Sequence, residues 1–152
     1  MNTEKNFTPI GDSNLEKKAQ PTGTFSYEQR EQPVSFIETM NVADGVECDV
    51  YTFVEDESKD LGIIKIGAEK KTPLQKVLKG EKTIEGYMSG KGKLTIVKAD
   101  GKKDVFVANG APLTVTVNIG ELMQWEADTN SNLEAFEICF PPYEEGRFEN
   151  IG

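Results

Sequence analysis

Ten short runs of β-branched, aromatic and other apolar residues follow one another between residues 34 and 140, with turn residues between them. They fall at 34–42, 47–54, 62–67, 74–78, 83–89, 93–98, 104–108, 113–119, 122–127 and 133–140. Apolar and polar residues alternate within them, as in Lys93-Leu-Thr-Ile-Val and Leu113-Thr-Val-Thr-Val, the period of a half-buried strand. Asp100-Gly101 reads as a type I′ hairpin turn, in which both central residues take positive φ, and Asn109-Gly110 repeats the device. Gly90-Lys91-Gly92 makes a third tight turn, and only residues 14–20 have a helical look. Many short strands at regular spacing point to an all-β sandwich or closed barrel.

A chain of 152 residues suits one domain with one core. Hydrophobic residues make up 37%, and the deficit lies early. Residues 1–32 carry isolated Phe7, Ile10, Leu15, Phe25 and Tyr27, too little apolar area to offset the entropy of ordering them. The expectation is a flexible polar N-terminal arm over 1–32 and a barrel over 33–152.

A net charge of -9 argues against nucleic-acid binding through phosphate neutralisation. The charge is uneven. Residues 65–93 hold eight lysines against Glu69, Glu81 and Glu85, a local +5 in a chain that is otherwise -14. A solvated lysine face is the ordinary reading, and a basic rim that attracts an anionic ligand is the sharper one. Cys48 and Cys139 sit in apolar, strand-like surroundings and read as buried thiols, with a disulfide left open. No apolar run approaches the roughly 18 residues of a membrane span. The first residues lack the apolar centre of a signal peptide, so a cytoplasmic protein is expected.

Two stretches carry a family likeness. Gly67-Ala-Glu-Lys-Lys-Thr-Pro-Leu-Gln75 leads to Glu85-Gly-Tyr-Met-Ser-Gly-Lys-Gly92, and Gly120-Glu-Leu-Met123-Gln-Trp125-Glu-Ala127 leads to Pro141-Pro142-Tyr143. The placing of the glycines, the glutamate and the proline resembles the two motifs of the cupin superfamily over about residues 62–143. That resemblance implies a single cupin-type β-barrel, the double-stranded β-helix or jelly roll. It also implies, for typical members, a metal held by three histidines and a glutamate. This chain has no histidine. The histidine positions fall on Pro73, Gln75 and Met123, the asparagine position of the second motif on Ala127, and Glu85 alone remains. One carboxylate and one amide make a poor site for hard or transition metals, so no metal and no cofactor are expected.

The cupin register turns Pro73, Gln75, Val77, Thr83, Glu85, Tyr87, Met123, Trp125 and Ala127 inward. Glu85 and Tyr87 share a face because side chains alternate with period two. Burial raises a glutamate's pKa, which suits a general acid or base, with the tyrosine hydroxyl as donor or orienter. Glu85 and Tyr87 are therefore the candidate catalytic residues, and Gln75, Thr83, Met123 and Trp125 the candidate ligand contacts. Trp125, the only tryptophan, offers a flat wall for a ring or sugar. Gln124 and Glu126, of opposite parity, read as structural. One of Glu134 and Glu137 points inward, and parity leaves open which. Outward Leu74, Ile84 and Met88 need cover from a second layer or a second copy, so a homodimer is expected.

These residues point to a histidine-free barrel that binds a small organic ligand, anionic or ring-containing, and works as a metal-independent isomerase, cyclase or lyase. Two alternatives stand beside it: a non-catalytic structural or interaction barrel, and a metallo-cupin with an oxygen-rich site around Glu85.

Overall fold

The computed structural model describes residues 21–143 and 146–151, and among these the chain is all β, without helix. Seven strands form one antiparallel sheet: β1 (Gly23–Tyr27), β2 (Arg30–Ala43), β3 (Val46–Phe53), β4 (Asp60–Ile66), β6 (Lys82–Gly90), β9 (Thr114–Asn118) and β11 (Leu133–Phe140). Their order is β1-β2-β3-β4-β11-β6-β9. The other sheet has β5 (Gln75–Val77), β7 (Gly92–Val97), β8 (Lys103–Ala108), β10 (Leu122–Ala127) and β12 (Phe148–Asn150), in the order β12-β5-β10-β7-β8. All ten expected runs are strands. The helical look at 14–20 lies outside the described residues.

The sheet begins at Gly23, ahead of the boundary expected at residue 33. Phe25 and Tyr27 explain the shift. Their ring centroids lie 5.1 and 6.5 Å from that of Phe136 on β11, so two early aromatics converge on one partner. An average over a polar segment does not register such convergence. Residues 1–20 of the expected arm lie outside the described residues.

The turns differ from their expected types. Lys98 accepts a hydrogen bond from the Gly101 N–H at 2.8 Å, and Lys98 N–H donates to Lys102 O at 2.8 Å. Gly101 takes φ 89° while Asp100 stays at negative φ. The β7–β8 hairpin thus closes through a type I turn with a left-handed glycine after it, not type I′. Asn109-Gly110 joins β8 of one sheet to β9 of the other, so it is a crossover rather than a hairpin.

Between the sheets lies one core, with Val46, Ile64, Ile66, Leu94, Ile96, Met123, Trp125, Leu133 and Ala135. A second core covers the outer face of the larger sheet, with Val34, Phe53, Leu61, Ile84, Phe136 and Ile138 under Phe25 and Tyr27. β11 therefore buries both faces. Leu133 and Ala135 face one core, Phe136 and Ile138 the other. Gly86 makes room for this: a Cβ there would sit 2.0 Å from the Phe136 ring. Ile84 is covered by the chain's own first strands, which removes it from the expected dimer surface, whereas Met88 is exposed and stands at a bulge in the β6–β11 pairing.

Arg147, just before β12, is fully buried. Its guanidinium donates to the carbonyls of Pro141, Phe140 and Lys82 and so ties the end of β11 to the start of β6. Gly80, at φ 98°, lets the chain pass it, since a Cβ there would meet the guanidinium carbon at 2.6 Å. Among the described residues no helix is long and apolar enough to cross a membrane.

Candidate functional site

The inner core fills only part of the space between the sheets. A cavity of about 650 Å³ opens there, within the range of small-molecule sites. Glu85, Gln75, Met123, Trp125 and Pro73 line it, as the inward register requires. Residues from β2, β3 and β4 join them, among them Glu38, Asn41, Cys48 and Asp60, along with Phe148 and Asn150 of β12.

At the wall of the cavity stand two carboxyl groups. Glu85 on β6 and Glu137 on β11 are direct cross-strand partners, and both line the cavity. Paired residues on one face of an antiparallel ladder bring their Cβ atoms to about 4.5–5.5 Å. This settles the choice left open between Glu134 and Glu137. The inner core takes Leu133 and Ala135 of β11, so alternation sends Glu137 inward as well. Glu85 is 1% exposed. The Trp125 indole N–H donates to Glu85 Oε1 at 2.7 Å. Glu85 Oε2 finds no donor among the described residues. Next to it is the Glu137 carboxyl, and a hydrogen bond between the two needs a proton on one of them.

Electrostatics leads to the same conclusion. Burial, and then the charge of Glu137, holds the Glu85 carboxyl well above the usual carboxylate range. Burial also raises Glu137, with Asp60 adding to the rise and Arg147 opposing it. Two like charges this close in a dry wall do not both ionise, so the pair shares one proton. Asp60 is raised by burial too, while its Oδ2 accepts the Tyr143 N–H at 2.8 Å. The thiols are inert as nucleophiles: burial and nearby carboxylates push Cys48 up to about 12 and raise Cys139 further. Neither cysteine forms a disulfide.

The remaining expected site residues divide. Gln75 reaches the cavity, but its amide donates to Asn150 Oδ1 at 3.1 Å. Thr83 is completely buried outside the cavity lining. Tyr87 lies on the same face as Glu85, one step too far along β6. Its hydroxyl donates to Gly90 O at 2.7 Å and accepts the Gly110 N–H at 3.1 Å, so it ties two turns together away from the cavity. Gln124 borders the cavity despite its parity, with its amide given to Thr72 O. None of the eight lysines at 65–93 lines the cavity, which corrects the expected basic rim. Lys65 and Lys70 instead pair with Asp49 and Asp44.

No family model matches the sequence, and no curated protein matches it. Solved structures do. Oxalate decarboxylase of Bacillus subtilis at pH 4.6 superposes with a TM-score of 0.63 at 15% identity, over 76% of this chain and 30% of that one. The formate complex of oxalate decarboxylase from Lactobacillus farciminis gives 0.64 at 10% identity, over 76% and 33%. The chain thus spans about a third of the length of these proteins. The likeness is one of fold, and the fold is of the cupin type. Mn(II) centres are described in the Bacillus enzyme. The donors here do not fit such a centre: Pro73 offers none, Met123 offers a soft sulfur, and Glu85 is tied to Trp125 and Glu137. Among the described residues no group of three Cys, Asp or Glu side chains is placed to hold a metal.

Proposed function

We propose that the protein binds a small organic molecule between its sheets and uses the Glu85–Glu137 pair to move a proton on it. One observation carries this reading: two carboxyl groups, paired across β6 and β11, line an open cavity. The ionised member takes a proton from one atom of the ligand, and the protonated member returns one to another atom. The balance is an isomerisation, a cyclisation or an elimination, with no oxidant and no metal required. Tyr87 drops out of this chemistry and Glu137 takes its place. The open cavity speaks against a barrel filled by its own side chains. The ligand differs from those of the structural neighbours, since oxalate and formate are anions and the lining offers them no cation.

The test is deuterium exchange. A compound that changes the emission of Trp125 is incubated with the protein in heavy water. Deuterium is expected at a carbon-bound position of the compound, and Glu85→Gln should stop its uptake while binding persists. Exchange that persists in the variant sinks the acid–base role. Trp125→Ala should weaken a ring-bearing ligand by about 1–3 kcal/mol.

A second copy of the chain is the proposed partner. Among the described residues no strand pairs with the outer edge of β2 at residues 37–43, where Ile37 and Met40 are exposed. Such an edge invites β-augmentation. Glu38, Met40 and Asn41 of this stretch also line the cavity, so a dimer formed here would shape its mouth. Light scattering should give twice the chain mass for the protein and the chain mass for Ile37→Lys; a monomeric parent protein refutes the dimer.

A further inference from the structure

We infer that the cavity selects small organic cations, an ammonium group on an apolar or aromatic body, and rejects anions; this rests on the binding role proposed above and narrows it. Four lining side chains are carboxylates, Glu38, Asp60, Glu85 and Glu137, and none of the described lining residues is lysine or arginine. The buried Arg147 is committed to three backbone carbonyls and lies outside the lining. A ligand therefore meets acidic groups in the lining, with the one positive charge near them, Arg147, acting on Glu137 and Asp60 from outside it.

The deciding atom is Glu85 Oε2. It is buried in the cavity wall, and among the described residues only the proton shared with Glu137 can serve it. Two buried carboxyls served by a single shared proton are costly, because they have given up water for one hydrogen bond between them. Glu137 beside it supplies a hydrogen only while it is the protonated member of the pair. An ammonium group carries three donors and the missing positive charge, so one such group serves both carboxyls. The ring of Trp125 lies in the same wall, held by its N–H to Glu85 Oε1, and borders the space that the apolar body of such a ligand would enter. An anion would have to sit against the shared negative charge in a desolvated site, where like-charge contact is most expensive.

Trp125 is the only tryptophan, so its fluorescence reports the cavity directly. The full chain is titrated at neutral pH with three probes of one shape: 2-phenylethylammonium, 2-phenylethanol and phenylacetate. The ammonium should shift Trp125 emission saturably and bind about tenfold more tightly than the alcohol or better, with no response to the carboxylate. The double variant Glu85→Gln, Glu137→Gln should lose the preference for ammonium over alcohol. The single variant Glu137→Gln removes the neighbouring charge that raises Glu85 and should keep the preference. Alcohol or carboxylate binding as tightly as ammonium overturns the inference and leaves the binding role standing. Silence from all three at millimolar concentration overturns both. The three-probe comparison needs no variant, so a misfolded mutant does not block it.

Discussion

Replacing Arg147 with methionine is expected to cost about 2–4 kcal/mol of folding stability. Methionine has similar bulk, so the loss isolates hydrogen bonding from packing. The carbonyls of Pro141 and Lys82 would lose the guanidinium at a half-buried corner, while Phe140 O keeps the Glu81 N–H at 2.8 Å. An orphaned buried acceptor costs about 1–3 kcal/mol, and two on one corner relax together, so the sum falls short of full additivity. Arg147→Lys should recover only part of the loss, since one ammonium does not span three carbonyls set for a planar fork. Urea unfolding measures both variants, and a loss below about 1 kcal/mol for methionine would show that water or backbone movement replaces the guanidinium. The substitution also reaches the site. Arg147 lowers the proton affinity of Glu137 and Asp60, so its removal should make both carboxyls hold their protons to higher pH.

The second large effect is a fall in stability with rising pH. Glu85 and Glu137 keep their shared proton in the folded chain above the range where an unfolded glutamate releases it, about pH 4.3. The folded state then binds more protons than the unfolded state, and the slope of stability against pH is negative. The pair's contribution is full below about pH 4.3 and is lost as pH rises through the elevated folded value, at about 1.4 kcal/mol per pH unit per proton. Buried Asp60 adds in the same direction, whereas Asp49 and Asp56, lowered by their hydrogen bonds to Thr39 and Ser58, act in the opposite direction at lower pH. Subtracting the slope of the Glu85→Gln, Glu137→Gln protein isolates the pair. Urea midpoints from pH 4.5 to 8 should fall more steeply for the parent than for the variant, and parallel curves would mean that the carboxyls do not share a proton.

The fold was legible because alternation is a local signal. Leu94 and Ile96, Met123 and Trp125, and Thr83 and Glu85 all face the side that their parity assigns. What the sequence left open is pairing between distant strands. Glu137 becomes a site residue because it is set opposite Glu85, 52 positions away in the chain, and no periodicity carries that register. Tyr87 has the right parity but the wrong depth, since the face it shares with Glu85 runs on past the cavity into the turns at Gly90 and Gly110. The lysine cluster left two readings open for a related reason: a charge count along the chain does not say which end or face of a barrel receives it. Phe148 and Asn150 went unseen because a three-residue strand has no period to read, and Arg147 because nothing local marks a guanidinium destined for carbonyls.

The double burial of β11 has a consequence for how the chain is made. β11 fits between β4 and β6, and its Leu133 pairs with Ile66 of β4. The 67 positions separating those two partners are translated in roughly 3–13 s, at about 5–20 residues per second. Throughout that interval β2, β3 and β4 can form their meander, yet the free edge of β4 and the apolar faces of the meander have nothing to meet. Neither core closes until the one strand common to both is translated. A nascent chain of this protein therefore spends seconds as an open sheet, so its yield in the cell should depend on translation speed and on whatever shields that edge.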